Sequence, residues 1–211
     1  MRQLSLFEEV LSEEKKTHWP LLESNTGPKT IYDGQEVLNF SSFDYLGLAN
    51  HSKVIDAMRA ALDKFGGDLS APRHGGGNTY LHQMLEEKLA EFKKVDAVLL
   101  FPTDISAAFA LFSFILGEQD LVLMDELSSK KIYKFAGADI KVFTHRDLSA
   151  ANRIIETNTG ARKKLFVAES IFESEGDIFP FHDFVEVVKA HRMVLVIDDT
   201  NGLGVLGRNG R

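Results

Sequence analysis

Asp198 and Asp199 stand side by side at the end of the apolar run Met193–Asp199. A carboxylate in that place can accept a hydrogen bond from a protonated ring nitrogen, ligate a metal, or cap a following helix. Asp104, Asp125, Glu126, Glu169, Glu173 and Glu175 follow other apolar runs. Together with Asp198 they would make an oxygen-rich rim suited to Mg²⁺ or Ca²⁺ if folding gathers them. No calcium-loop spacing is present, so solvated acids are the plainer reading and no metal ligand is assigned. Arg73-His-Gly-Gly-Gly-Asn-Thr79 precedes a helical pattern, and backbone N–H groups of such a turn bind anions. It is neither a dinucleotide fingerprint nor a P-loop, and a simple turn is an equal reading. The seven histidines have no H-x-x-x-H spacing, and His82 reads as a structural hydrogen-bonding group on a helix. No G-x-S-x-G elbow and no cysteine occur, which removes that class of serine hydrolase, a thiolate nucleophile and Cys-ligated metals.

These residues must be placed by a scaffold, and the hydrophobic pattern specifies one. Leu4, Phe7, Val10 and Leu11 share a face of an expected N-terminal helix. Thr30 to Phe40 reads as a β-hairpin, with Asp33-Gly34 suited to a type I′ turn. Ser52 is placed to cap a helix with apolar face Val54, Ile55, Met58, Leu62 and Phe65, closed by Gly66. Thr79 is placed to cap another, with Leu81, Met84, Leu85, Leu89 and Phe92 as its core stripe. Apolar strands are then expected at Ala97–Phe101, Leu121–Asp125, Asp139–His145, Lys164–Ser170 and Met193–Asp199. Helices are expected between them at Ser106–Leu116, Leu127–Phe135, Leu148–Asn158 and Phe181–His191. Nearly continuous apolar strands alternating with helices imply an α/β fold, a mostly parallel sheet with helices on both faces. In such sheets ligands bind beyond the carboxyl ends of the strands. That rule singles out Pro102 to Ile105, Asp125 to Lys131, His145, Glu169 to Asp177 and Asp198 to Asn201. The expected division is an N-terminal helix-and-hairpin arm, 1–50, and a large domain, 51–211.

Composition narrows the function classes. The chain has 211 residues, 44% hydrophobic and 26% charged, with a formal net charge of −7. Disorder and low complexity do not fit, and an acidic protein is a poor partner for nucleic acid or anionic membrane. The longest apolar-rich stretch, Ile105 to Leu116, is too short to span a bilayer, and the first residues lack a signal-peptide run. A cytoplasmic location is the expectation. Most of the 16 phenylalanines fit the helix stripes and read as core.

Asn39-Phe-Ser-Ser-Phe-Asp-Tyr-Leu-Gly-Leu48 resembles the N-terminal signature of the α-oxoamine synthases, fold-type I acyltransferases dependent on pyridoxal phosphate (PLP). Arg73-x-x-x-Gly77-x-x-x-x-His82-x-x-Leu85-Glu86, Asp120 to Leu127, Glu169 to Asp177, Val194 to Asp199 and Gly202-x-Gly204-x-x-Gly207-x-x-Gly210 match further family segments in the same order. The resemblance implies a fold-type I, aminotransferase-like large domain that joins an amino acid to an acyl thioester. It also implies a homodimer, or a heterodimer with a related subunit. Serine palmitoyltransferase, a family member, has such a non-catalytic subunit.

By resemblance, Asp198 is the pyridinium partner and Arg73 and His82 belong to the substrate-binding segment. The other cofactor positions depart from the family pattern. Ser129 stands where a ring-stacking histidine is usual, and Asn201 where a histidine contacts the ring oxygen. Glu173 replaces a serine. Thr103-Asp104-Ile105 occupies the phosphate turn, where Gly-Tyr or Gly-Phe is usual, so a carboxylate would face a phosphate dianion. No lysine matches the Schiff-base lysine, which in the family lies beyond the position of Arg211. A diverged or truncated synthase, inactive alone, is therefore expected. The alternatives are a non-catalytic paralogue or partner subunit, and a metal-binding α/β protein using the acidic rim.

Overall fold

A computed structural model describes residues 19–128 and 137–211. The expected helix carrying Leu4 and Phe7, residue Ser129, and most of the helix expected over Leu127–Phe135 lie outside the described residues. The chain divides into two compact units, with the boundary between Asp68 and Leu69. The helix after residue 51 thus falls in the first unit, whereas the sequence reading had begun the large domain there.

In the first unit, β1 (Lys29–Tyr32) pairs antiparallel with β2 (Gln35–Leu38). Asp33 and Gly34 both have positive φ, 48° and 74°, as the two central positions of a type I′ turn require. Thr30 is buried, and its hydroxyl lies 2.9 Å from that of Ser24. Helix α1 (Ser52–Phe65) ends at Gly66, as its sequence indicated. Its N-cap is His51 rather than Ser52: the His51 ring nitrogen accepts from the Lys53 N–H at 3.3 Å.

The second unit holds the remaining elements. They are α2 (Tyr80–Lys93), α3 (Asp104–Ile115), β3 (Leu121–Asp125), β4 (Asp139–Phe143), α4 (Leu148–Thr157), β5 (Lys164–Glu169), α5 (Phe181–Ala190) and β6 (Val194–Asp198). The four strands form one all-parallel sheet in the order β4-β3-β5-β6. Side chains alternate across a strand, so each central strand feeds two cores. Leu123, Phe166 and Ala168 point to one face and meet Ala151, Ile155, Phe184 and Val188 of α4 and α5. Val122, Met124, Leu165 and Val167 point to the other and meet Phe112 of α3. Helices therefore cover both faces, and the α/β parallel architecture stands.

The first core is an aromatic one. Phe143, Phe166, Phe179 and Phe184 are all essentially buried, with ring centroids 4.6 to 5.7 Å apart along the contacts Phe179–Phe184, Phe166–Phe184, Phe143–Phe166 and Phe143–Phe184. That spacing suits tilted and offset aromatic pairs. The reading of phenylalanine as core holds here but not everywhere, since Phe40 and Phe114 are 91% and 89% exposed.

Two expectations need correction. Ala97–Phe101 is not a strand. Its residues are apolar enough, but a strand exists only through a hydrogen-bonded neighbour, and no described segment pairs with it. The stripe Leu81, Met84, Leu85, Leu89, Phe92 on α2 is not a core: no α2 residue is buried. Helical periodicity identifies an apolar face but not what covers it.

Candidate functional site

The carboxyl end of the sheet carries the candidate residues. β6 ends at Asp198, whose Oδ1 accepts from the Thr200 backbone N–H at 3.1 Å and from the Thr200 hydroxyl at 2.6 Å. This turn fixes the carboxylate at the strand tip. Asp199 points elsewhere: its Oδ2 receives the Lys93 ammonium at 2.6 Å. That pair joins residues 106 apart in sequence and draws the end of α2 to the end of β6.

α3 starts beside the same edge. Thr103 is its N-cap, accepting from the Ser106 N–H at 3.1 Å, while the Ser106 hydroxyl accepts from the Thr103 N–H at 3.2 Å. The two side chains thus answer each other's backbone groups. Asp104 occupies the first turn, where its charge favours the helix dipole. Ile105 is exposed.

Asp104, Asp198 and Asp199 line one cavity of about 360 Å³, whose other walls include Leu99, Phe101, Leu111 and Val196. No lysine or arginine lines it among the described residues. A second cavity, also about 360 Å³, lies on the other side of Asp199 and includes Lys93, Ser170, Gly202 and Arg211. A Cβ at Gly202 would meet the Asp199 carboxylate and the Ser170 hydroxyl, so a larger residue here would displace both side chains.

The remaining sequence-selected residues separate into different environments. Asn201 is buried, and its amide donates to the Ile171 carbonyl at 3.4 Å. Glu173 is exposed in the loop between β5 and α5. Arg73 is engaged within the fold: it makes a two-pronged pair with Glu86 at 2.6 and 3.1 Å and donates to Asn78 at 3.0 Å. Glu86 also accepts from the Leu100 N–H at 2.9 Å. The Arg73 hydrogen bond, then the Leu100 one, hold the Glu86 carboxyl down at about 2 against the opposing effect of burial. His82 accepts from the Thr79 N–H at 3.2 Å and lies 2.8 Å from the Thr79 hydroxyl, closing the N-terminus of α2.

The acidic rim assembles only in part: Asp104 and Asp198 share a cavity, while Asp125 turns to other partners. Among the described residues no three His, Cys, Asp or Glu side chains gather as a metal-holding group. Asp125 is wholly buried and bound to His145 instead, at 2.8 Å. His145 reaches Asp177 on its other ring nitrogen, at 2.9 Å. The strand-end rule marked all three positions, but nothing in their spacing announced that they meet.

Set against PLP, these residues fit one end only. Asp198 is a carboxylate at a strand tip, the chemistry a protonated ring nitrogen needs. At the other end, a phosphate dianion at the α3 N-terminus would meet Asp104, and the Thr103 and Ser106 side chains already cap each other. The phosphate end does not fit, and no chemical step is assigned to the cofactor here. Among the described residues, no helix is long and apolar enough to cross a membrane.

The sheet order, the helix N-terminus beside it and the carboxylate at the β6 tip define a class. The chain belongs to the aminotransferase class I and II family, whose model matches residues 35–210. It is 34% identical to an 8-amino-7-oxononanoate synthase from Thermoanaerobacter pseudethanolicus, an alignment covering 100% of this chain and 55% of that protein. A serine palmitoyltransferase structure from Sphingomonas wittichii superposes with a TM-score of 0.86 at 25% identity, over 100% of this chain and 54% of the other. A serine palmitoyltransferase structure with PLP gives 0.88 at 26% identity, over 99% and 55%. These similarities place the chain among the α-oxoamine synthases, a PLP-using family. The chain spans about half the length of the relatives it matches.

Proposed function

We propose that this chain is a diverged α-oxoamine synthase large domain that does not carry out decarboxylative condensation of an amino acid with an acyl thioester by itself. It works as a non-catalytic partner of a second copy or of a related, active subunit. One observation carries the reading: Asp104 lines the cavity that Asp198 also lines, so a phosphorylated ring paired with Asp198 would bring its dianion into a space that already holds a second carboxylate. A second carboxylate in the same cavity opposes an incoming phosphate dianion rather than merely failing to help, most strongly at low ionic strength.

Three further features support it. Asn201 stands buried where the family pattern has a histidine, Glu173 stands where it has a serine, and no lysine lines the Asp198 cavity among the described residues. The half-exposed apolar faces of α1, α2 and α3, with Met58, Met84, Phe109 and Phe114, suit a partner-binding protein. A cytoplasmic location is part of this reading, supported by its likeness to 8-amino-7-oxononanoate synthases.

Asp198 favours a second reading, that of a synthase still able to hold its cofactor. Incubation with PLP followed by dialysis separates the two. The non-catalytic reading expects no retained absorbance band and no change in melting temperature. A band that survives dialysis and that borohydride fixes to a lysine would establish the second reading.

A further inference from the structure

His145 lies between two carboxylates contributed by two other segments. Its Nδ1 is 2.8 Å from Asp125 Oδ1, at the tip of β3, and its Nε2 is 2.9 Å from Asp177 Oδ2, in the loop between β5 and α5. The ring packs edge-on against Phe172 of that loop, with centroids 4.6 Å apart. A carboxylate only accepts hydrogen bonds, and a neutral imidazole has a single N–H. Both contacts can therefore exist together only when the ring carries both protons.

We propose that His145 is a proton-dependent latch that fastens the Ser170–Phe179 loop to the turn after β4, closed when the imidazole is doubly protonated. The surroundings decide which contact yields. Asp125 is wholly buried and is also held by the Leu127 and Arg146 backbone N–H groups, both at 3.0 Å. Its bond to Nδ1 keeps the single remaining proton. Nε2 then turns a lone pair toward Asp177, and that contact becomes repulsive. Asp177 retains only the exposed Arg146 guanidinium on the same oxygen, at 2.9 Å, while its Oδ1 is buried with no hydrogen-bond partner. Among the described residues, the charged groups facing His145 are thus Asp125 and Glu126 from the end of β3, Asp177 from the loop, and Arg146 from its own turn. Glu126 accepts the His145 backbone N–H at 2.8 Å.

The loop so held is a short hairpin. Ile171 and Ile178 bridge antiparallel, Phe172 N–H donates to the Asp177 carbonyl at 3.0 Å, and Phe179 N–H to that of Ser170 at 3.2 Å. Its base joins the candidate site, since Ser170 N–H donates to the Asp198 carbonyl at 2.8 Å and the Ile171 carbonyl accepts from Asn201. Releasing the latch loosens the segment that flanks Asp198.

Burial alone would discourage the His145 charge, but the hydrogen bonds to Asp177 and Asp125, with their charges, outweigh it and raise its pKa. A raised folded-state value stabilises the latch fully below the ordinary histidine range near 6.5, and that contribution disappears as pH rises through the folded value.

The test uses the chain without cofactor, so it is independent of the proposed function. The His145 ring is titrated by NMR, and amide exchange at Phe172, Gly176 and Phe179 is measured at pH 6 and pH 8.5, corrected for intrinsic rates. The latch predicts a midpoint above 6.5 and several-fold less protection at the higher pH, the loss growing with how far the midpoint lies above 6.5. In Asp177→Asn the side-chain amide can donate to neutral Nε2, so protection becomes independent of pH. A midpoint at or below 6.5, or equal protection at both pH values in the unaltered chain, overturns the inference whether or not the variant folds.

Discussion

Asp104, in the first turn of α3, and Asp198, at the tip of β6, line the same cavity of about 360 Å³. The two carboxylates reach it from elements about ninety residues apart, so their shared negative charge is a property of the fold. On the proposed reading, Asp104 is the group that opposes a phosphate in this space.

If Asp104 is the obstacle, Asp104→Asn removes the charge while keeping the side chain's size and leaving the Thr103 cap in place. Affinity for inorganic phosphate or PLP should rise about tenfold at low salt, and less at high salt, because the position is exposed and screened. Fluorescence or absorbance titration at two ionic strengths reads this directly. An unchanged affinity in the variant would show that charge at this position does not govern anion binding.

Asp120 and Arg162 form an ion pair just before β3 and β5. Asp120 is buried and accepts from Arg162 at 2.7 and 2.9 Å, from Gly117 N–H at 2.9 Å and from Lys163 N–H at 3.1 Å. The Arg162 hydrogen bond leads in lowering its carboxyl to about 2, against the cost of burial. Asp120→Ala leaves two backbone donors and a guanidinium unmatched, a loss of about 3 kcal/mol in denaturant unfolding. The sign of the pH dependence follows from a depressed value: the contribution is complete above the unfolded range near 4 and fades as pH falls toward 2. Asp120→Asn should flatten that acid limb.

Phe166 sits at the centre of the aromatic core, fully buried against Phe143, Phe179 and Phe184. Phe166→Ala removes a large side chain from a site with little room to collapse, and should cost about 3–5 kcal/mol by chemical denaturation. Phe114→Ala, by contrast, alters a ring that is 89% exposed and should change the stability of the isolated chain by less than about 0.5 kcal/mol.

Gly77 packs against the Ala71 carbonyl so closely that an added Cβ would overlap it. Gly77→Ala should destabilise the Arg73–Thr79 turn by about 1–3 kcal/mol, through displaced backbone rather than lost hydrogen bonds. Gly67→Ala, where a Cβ meets open space, is the matched control. Thermal unfolding of the two variants checks the contrast.

The sequence reading succeeded where local chemistry and burial agree. Asp33-Gly34 announces its turn because few residue pairs accept two positive φ values, and Leu121–Asp125 announces a central strand because both its faces are covered. It stopped short where the answer lies in a partner. Ala97–Phe101 has strand composition but no ladder. Arg73 and His82 carry family-like spacing, yet they meet Glu86 and Thr79, contacts that serve the fold. The Lys93–Asp199 pair and the Asp125–His145–Asp177 bridge join distant positions whose meeting no local pattern encodes. The place of Asp198 at a strand tip is legible because the apolar run before it announces where β6 ends.

The measurement that bears most directly on the central claim is equilibrium dialysis of the purified chain against PLP, followed by borohydride reduction and peptide mapping. Cofactor lost on dialysis, with no lysine labelled, is the expected result. Stoichiometric retention, with label fixed on one lysine, would contradict it.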